Sequence, residues 1–378
     1  MKFNFWTQIN MGNRVEVVRN EKDFIEKEAE WKAFEKYLDH RSITITYDYL
    51  FIFWQCFKEY DSHNLGYKRE LLILFLYKND NLHAIAPFCK IKRKRKKLLG
   101  VDYIEFLGQQ FLTNYCDIIS KEIGKEDIEF LFDWLFDNEK FDLVNLTQIP
   151  EYSPLIKYFK KISFCYSACP EFSLDNYQDY QEYFQRNYSA NHRQNLRKAL
   201  NRIYKKGMVY SELVKNLTDD DFSEIIRLSR SKLEDDKYCI YDDPAKLNFS
   251  KKIYRKFAAQ VCFIQLNDIK VAFKTNIYFN GLKFCYDTSY DRDYEFCSPG
   301  NLAVDLSIRD SFQTGVKLHS EGWGMDIYKM RFIKSLTIIY NLLFKGNTMS
   351  SKFWLAESVN ESSLTQENFK ANLSQANL

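Results

Sequence analysis

Apolar residues recur at helical spacing over residues 21–39 (Phe24, Trp31, Phe34, Tyr37), which predicts a helix, and residues 50–60 predict a second. Residues 70–77 form a nearly continuous apolar run, the pattern of a strand buried on both faces. Asn79-Asp80-Asn81 reads as a turn, with residues 82–90 as its hairpin partner. A further strand starts at Leu98 and reaches Gly108. Residues 126–136 predict a helix with Ile128, Leu131, Phe132 and Leu135 on one face, and residues 143–146 a short strand that Ile149-Pro150 closes. Residues 151–180 read as a crossover.

The pattern then restarts. Residues 187–206 predict a helix whose buried stripe is Leu196, Ala199, Leu200 and Ile203, flanked by basic rows (Arg193 and Arg197, Lys198 and Arg202) and ended by Gly207. Thr218-Asp219-Asp220-Asp221 reads as the capped, acidic start of the next helix. Residues 261–266 and 271–279 pair across Asn267-Asp268. Asn280-Gly281 turns the chain into a strand over 282–286. A Ser298-Pro299-Gly300 turn opens a helix over 301–314 that Gly315 ends. A strand, a second helix opened by Tyr328-Lys329 and a strand over 337–344 follow. The two halves share the order hairpin, strand, helix, strand, as a degenerate duplication of one α/β unit leaves it.

Composition narrows the class. The chain has 378 residues, 46% apolar and 17% aromatic, enough for two sizeable cores. With 54 Lys and Arg against 51 Asp and Glu the net charge is +3, which argues against a dedicated DNA or RNA binder. Nine cysteines without a CxxC pair, several inside apolar runs, suggest a reducing cytoplasm. Cys165 and Cys169 have no second Cys/His pair, the five histidines show no metal spacing, and no metal is expected. The first residues lack a secretory pattern and the longest apolar runs are far too short to span a membrane, so a soluble protein is expected. Lys90 to Lys97 is the densest charge run, placed on a loop or hairpin tip. It is either a solvated loop or a peripheral contact for anionic lipid or RNA. Residues 349–378 become polar and read as a mobile tail.

The candidate chemistry centres on Ser298-Pro299-Gly300. A strand that turns through glycine into a helix leaves backbone N–H groups free at the helix start, which suits a phosphate or pyrophosphate, and so an acyl carrier such as coenzyme A. The plainer reading is an ordinary strand-to-helix turn.

Three segments carry a resemblance: Asn187 to Arg202 with its basic Arg-x-x-Leu-Arg pattern, Ser298-Pro299-Gly300, and Gly324-Met325-Asp326-Ile327-Tyr328-Lys329. Together they resemble the CelD-like GNAT-type acetyltransferases over roughly residues 45–345, and the hairpin bearing Leu82 to Pro87 resembles that family's first half. The fold implied is α/β (α+β): two tandem GNAT-like units, each a mixed central sheet flanked by helices, similar to the Fem-type transferases. The units would be residues 1–165 and 166–348.

The resemblance implies acyl transfer from acetyl-CoA or another acyl-CoA, as co-substrate, in the cytoplasm of a bacterium. The acceptor is a small molecule or a glycan, as in envelope or exopolysaccharide synthesis. The donor's pantetheine arm would lie along Phe284, Tyr286 and Asp287, and its pyrophosphate at Ser298, Gly300 and Asn301. Asp287 or Glu321 would be the base, with His319 ranked below them, and Tyr328 would protonate the leaving thiolate. Lys329 is either a cation for the donor phosphates or one partner of a surface ion pair. Arg193 and Arg197 either bind a phosphate-bearing acceptor or form a solvated helix face. The family's acid before the late glycine is displaced here (Leu318 to Gly324), so its role falls to Glu321 or is lost. Two alternatives stand: a Fem-type transferase using aminoacyl-tRNA, against which the lack of a heptad arm counts, and a non-catalytic GNAT-fold binding protein.

Overall fold

The computed structural model describes residues 12–358, apart from 39–41, 62–66, 96–98, 110, 160–162, 234–236 and 357. The first half runs β1 (Asn13–Val18), α1 (Glu21–Glu26), α2 (Glu28–Glu35), α3 (Tyr47–Phe57), β2 (Lys68–Lys78), β3 (Asn81–Arg95), β4 (Leu99–Phe106), β5 (Ile119–Ser120), α4 (Lys125–Asn138), β6 (Leu143–Pro150) and α5 (Pro154–Phe159). Then come β7 (Ser163–Ser173), α6 (Tyr180–Asn187), α7 (Ala190–Tyr204), β8 (Val209–Val214), α8 (Asp219–Ser231), α9 (Pro244–Lys256), β9 (Gln260–Leu266), β10 (Ile269–Phe279), β11 (Leu282–Tyr290), α10 (Pro299–Thr314), β12 (Leu318–Ser320), α11 (Ile327–Met330) and β13 (Leu336–Lys345).

The strands form one mixed sheet in the order β1-β2-β3-β4-β6-β13-β7-β12-β11-β10-β9-β8, with β5 paired to β3 off this path. The pairs β4–β6 and β11–β12 are parallel and the others antiparallel. The last strand, β13, lies between β6 and β7 and bonds to both. The continuous apolar run of β2 has a plain cause. Leu71, Ile73, Phe75 and Tyr77 enter one core while Leu72, Leu74 and Leu76 enter another, so both faces are covered. The first of these cores crosses both halves: Phe249 of α9 meets Phe53 and Phe57 of α3 at ring distances of 5.9 and 5.2 Å.

The turns fall where the sequence puts them. Asn267-Asp268 and Asn280-Gly281 take the left-handed conformation at both positions. The Thr218 side chain accepts from the Asp221 N–H, and the Asp221 carboxylate accepts back from Thr218.

Other expectations need correction. The helix over 21–39 is two, broken at Lys27. Lys90 to Arg95 are not loop but continue β3 against β4, and Lys96 and Lys97 lie outside the described residues. The 151–180 crossover contains β7, an eleven-residue central strand. The first α7 residue is Ala190, capped by Ser189, and its buried stripe is His192, Leu196, Ala199 and Ile203. Leu200 is 37% exposed, one residue too far around the helix to join that stripe. Residues 351–356 are helical and bury Trp354 against the core, whereas 359–378 lie outside the described residues.

Candidate active site

Strands β11 and β12 stay together for only three residue pairs, ending at Phe284 opposite Ser320. Beyond that point β12's chain leaves for β7: Glu321 N–H donates to Pro170 O (2.9 Å) and Gly324 N–H to Ala168 O (3.0 Å). Gly322 makes this departure possible. Its φ is +73°, and a Cβ there would stand 2.9 Å from the Cys285 carbonyl oxygen. The edge of β11 from Cys285 onward therefore faces a gap instead of a strand.

A β-bulge sets what β11 presents. Thr275 opposes Asp287 and Asn276 opposes Cys285, so Tyr286 is the extra residue. Tyr286 and Asp287 thus both face the α8/α9 side, while Cys285 before them and Thr288 and Tyr290 after them face α10.

The gap opens into a cavity of about 350 Å³ bounded by Thr288 to Tyr290, Ser298, Gly300, Asn301, Tyr328 and Arg331. Its floor is the start of α10. Ser298 sits there in the left-handed region (φ 49°), no side chain caps the helix, and its first turn carries no acid. Asn301 and Leu302 N–H groups bond back to Ser298 O, and Pro299 has no N–H. The Gly300 N–H is thus the group left for a ligand at the positive end of a 16-residue helix. Gly300 also has no room to spare: a Cβ would lie 3.0 Å from the Tyr290 ring.

Ser298, Gly300, Asn301 and Tyr328 are therefore brought together. Phe284 is fully buried in the core, and Tyr286 packs beside it. Asp287 is half-buried. It accepts a hydrogen bond from Tyr241 Oη (2.5 Å), while its N–H donates to Thr275 Oγ1 (2.8 Å). Burial pushes the Asp287 carboxyl above its ordinary range, against the pull of the Tyr241 hydroxyl. The Tyr328 phenol is also pushed up by burial, opposed by the charge of Lys274, so it holds its proton at neutral pH.

Glu321 lies in a buried ionic network. One carboxylate oxygen meets Lys274 Nζ at 2.6 Å and the other His319 Nε2 at 3.0 Å. His319 Nδ1 meets Ser311 Oγ at 2.7 Å. Burial alone would raise the Glu321 pKa, but the Lys274 ammonium and His319 together hold it below the carboxylate range. Burial lowers His319 to about 4, so it is neutral, and raises the Cys285 thiol to about 11. The Cys285, His319 and Glu321 donor atoms lie within 4.8 Å of one another. A cation would have to compete with the ammonium already on Glu321, and this thiol resists the ionisation a metal needs. The donor set does not fit a metal.

The remaining expected residues stand apart from the cavity. Lys329 is buried and donates to Trp323 O (2.8 Å) and Gly324 O (3.4 Å), fixing the glycine loop. Arg193 donates to the Gln185 O (3.1 Å) and Tyr188 O carbonyls behind α6, and Arg197 is exposed on α7. The sequence reading missed two cations, Lys232 after α8 and Arg331 after α11, both lining the cavity. Arg331 follows Lys329 by two residues, and the basic run there was the available signal.

Residues 190–330 match the acetyltransferase (GNAT) domain family. The matched segment contains α7, the β11 gap, the start of α10 and Tyr328. Among solved structures, the fold is similar to a conserved protein of unknown function from Bacteroides thetaiotaomicron VPI-5482 (8% identity, 88% of this chain and 100% of that one, TM-score 0.53). It is also similar to FemX (10% identity, 84% and 96% covered, TM-score 0.54). A tandem GNAT protein from the clavulanic acid biosynthesis pathway aligns over 89% of this chain and 99% of its own, at 8% identity and a TM-score of 0.48. No curated protein matches the chain. The fold is mixed α/β, one large mixed sheet flanked by helices, and residues 190–330 of it match the GNAT domain. No helix among the described residues is long and apolar enough to cross a membrane.

Proposed function

We propose that the chain transfers an acyl group, acetyl in the first instance, from acyl-CoA to an amine or hydroxyl acceptor. The observation that carries this reading is the uncapped start of α10 on the floor of an open strand gap, inside the segment that matches the acetyltransferase domain. The pantetheine arm lies along the free edge of β11. The pyrophosphate meets the Gly300 N–H and the side chains of Ser298 and Asn301, with Lys232 and Arg331 as counter-charges. A β11 N–H polarises the thioester carbonyl.

The acceptor attacks the thioester carbon, so a C–N or C–O bond forms as the C–S bond breaks. Asp287 takes the acceptor's proton, because burial has raised its basicity. Glu321, ion-paired and acidified, is the weaker base and holds Lys274 in place. Tyr328 gives its proton to the departing thiolate.

The acceptor is a small molecule or a glycan, and the CelD-like resemblance points to polysaccharide synthesis in a bacterial cytoplasm. Trp323, 42% exposed and stacked on Tyr166 at 6.0 Å, offers an aromatic face for a sugar ring on the loop leading to Tyr328.

Calorimetric titration with acetyl-CoA and longer acyl-CoAs tests the donor. Micromolar binding is expected, weakened about 100-fold or more by Gly300→Trp, which fills the cleft against Tyr290. A folded wild-type protein that binds no acyl-CoA overturns the reading, and salt-sensitive tRNA binding in its place would select the Fem-type alternative.

A further inference from the structure

A second cavity, of about 310 Å³, adjoins the donor cleft and shares Ser298, Asn301 and Arg331 with it. We propose that it receives the phosphate-bearing nucleotide end of the donor, so that the protein selects thioesters of CoA over those of dephospho-CoA or pantetheine. This rests on the acyl-CoA reading and adds to it a specificity for one phosphate monoester.

The lining carries the argument. Arg202 from α7 and Arg331 after α11 bring two guanidinium groups to the cavity, and no carboxylate lines it. Among the described residues neither arginine has an ion-pair partner. His192 also lines the cavity. It is 7% exposed, its ring is wedged against Tyr188 (5.1 Å) and Phe332 (4.5 Å), and its Nε2 is buried with no hydrogen-bond partner. A buried polar nitrogen without a partner is costly unless a ligand supplies one. A phosphate between the two guanidinium groups supplies the charge-assisted acceptors that a lining without a carboxylate lacks. Leu196 and Ala199 form an apolar strip beside them, suited to the face of a purine.

Connectivity points the same way. In CoA the ribose that bears the 3′-phosphate and the adenine follows the pyrophosphate directly. A pyrophosphate on the start of α10 touches Ser298 and Asn301, and both residues also line the second cavity, so the next segment of the donor enters it.

The test compares CoA with dephospho-CoA by calorimetry on the wild-type protein and on Arg202→Gln, an exposed residue that lines only the second cavity. CoA should bind at least about 10-fold more tightly than dephospho-CoA, and Arg202→Gln should shrink that ratio to about 2-fold while leaving dephospho-CoA affinity as it was. In the same samples CoA, and not dephospho-CoA, should shift the His192 imidazole resonances and raise its pKa from about 4, where burial and the Arg331 charge hold it. Equal affinities in the wild type, or a ratio unchanged by Arg202→Gln, would overturn this proposal and leave the acyl-CoA reading standing. Binding of neither compound would overturn both.

Discussion

The two halves solve the same geometric problem in opposite ways. In each, two parallel strands part after a short pairing: β4 and β6 beyond Tyr103–Ile104, β11 and β12 beyond Phe284. In the first half the chain plugs the gap itself. Gln109 accepts from the N–H groups of Phe106 (3.1 Å) and Thr147 (3.2 Å) and donates to Asn145 O (3.1 Å), satisfying both strands with one side chain. The helix beyond is closed as well. The Asp127 carboxylate accepts from the Gly124 N–H (3.1 Å) and pairs with His83 (3.0 Å) and Lys78. In the second half, among the described residues, no glutamine is seen to bridge the strands and no side chain caps α10. A shared architecture therefore leaves one half closed by its own side chains and the other with an open strand edge and an uncapped helix start.

The contrast can be broken at the ionic network beside the open gap. Glu321→Gln strands the Lys274 ammonium in the interior and should lower unfolding free energy by about 3–5 kcal/mol, read by denaturant melts. If the loss is below about 1 kcal/mol, the network does not hold the open half together. pH probes the same place. His319 and His192 are buried neutral with pKa values near 4, against 6.5 in the unfolded chain. Between those values the unfolded state binds protons that the native state refuses, so stability should fall as pH drops from about 6.5 to 4. A Tm series across that range checks it, and His319→Gln should flatten the slope.

Asp287→Asn sharpens the chemical side. It keeps an acceptor for Tyr241 but loses the base, so kcat should fall about 100-fold with acyl-CoA affinity unchanged. In the wild type the rate should fall as pH drops through the raised Asp287 pKa, because only the carboxylate accepts a proton. Asp127→Ala opens the closed helix and should cost about 1–2 kcal/mol of stability, with acyl-CoA affinity as before. A change in donor affinity there would place a donor site in the first half too. The smallest effect is expected for Leu200→Lys, within about 0.5 kcal/mol, since the side chain already meets solvent.

Local chemistry was legible in the sequence and distant pairing was not. Asn267-Asp268, Asn280-Gly281 and Thr218 announce their turns and cap through side chains that act within a few residues. Ser298, Gly300, Asn301 and Tyr328 could be gathered because short elements connect them. Strand β7 was missed because Cys165, Ser167 and Pro170 dilute its apolar pattern, and its pairing with β13 spans more than 160 residues. The bulge at Tyr286, which turns Asp287 to the α8/α9 side, depends on the register with β10 and leaves no mark in composition. Lys274 and Lys283, both buried, stand inside apolar strands. A charge in such a run was the one available sign that the second half carries a buried ionic network.

The position of β13 has a consequence for biosynthesis. Its residues 336–345 fill the space between β6 and β7, so when β6 and β7 have both left the ribosome their facing edges still lack the strand that joins them. Until that strand arrives, both edges offer unsatisfied backbone groups to any neighbouring chain. Such long-range closure is slow, and it makes the nascent protein a natural client for chaperones and the final strand the step that commits the whole sheet.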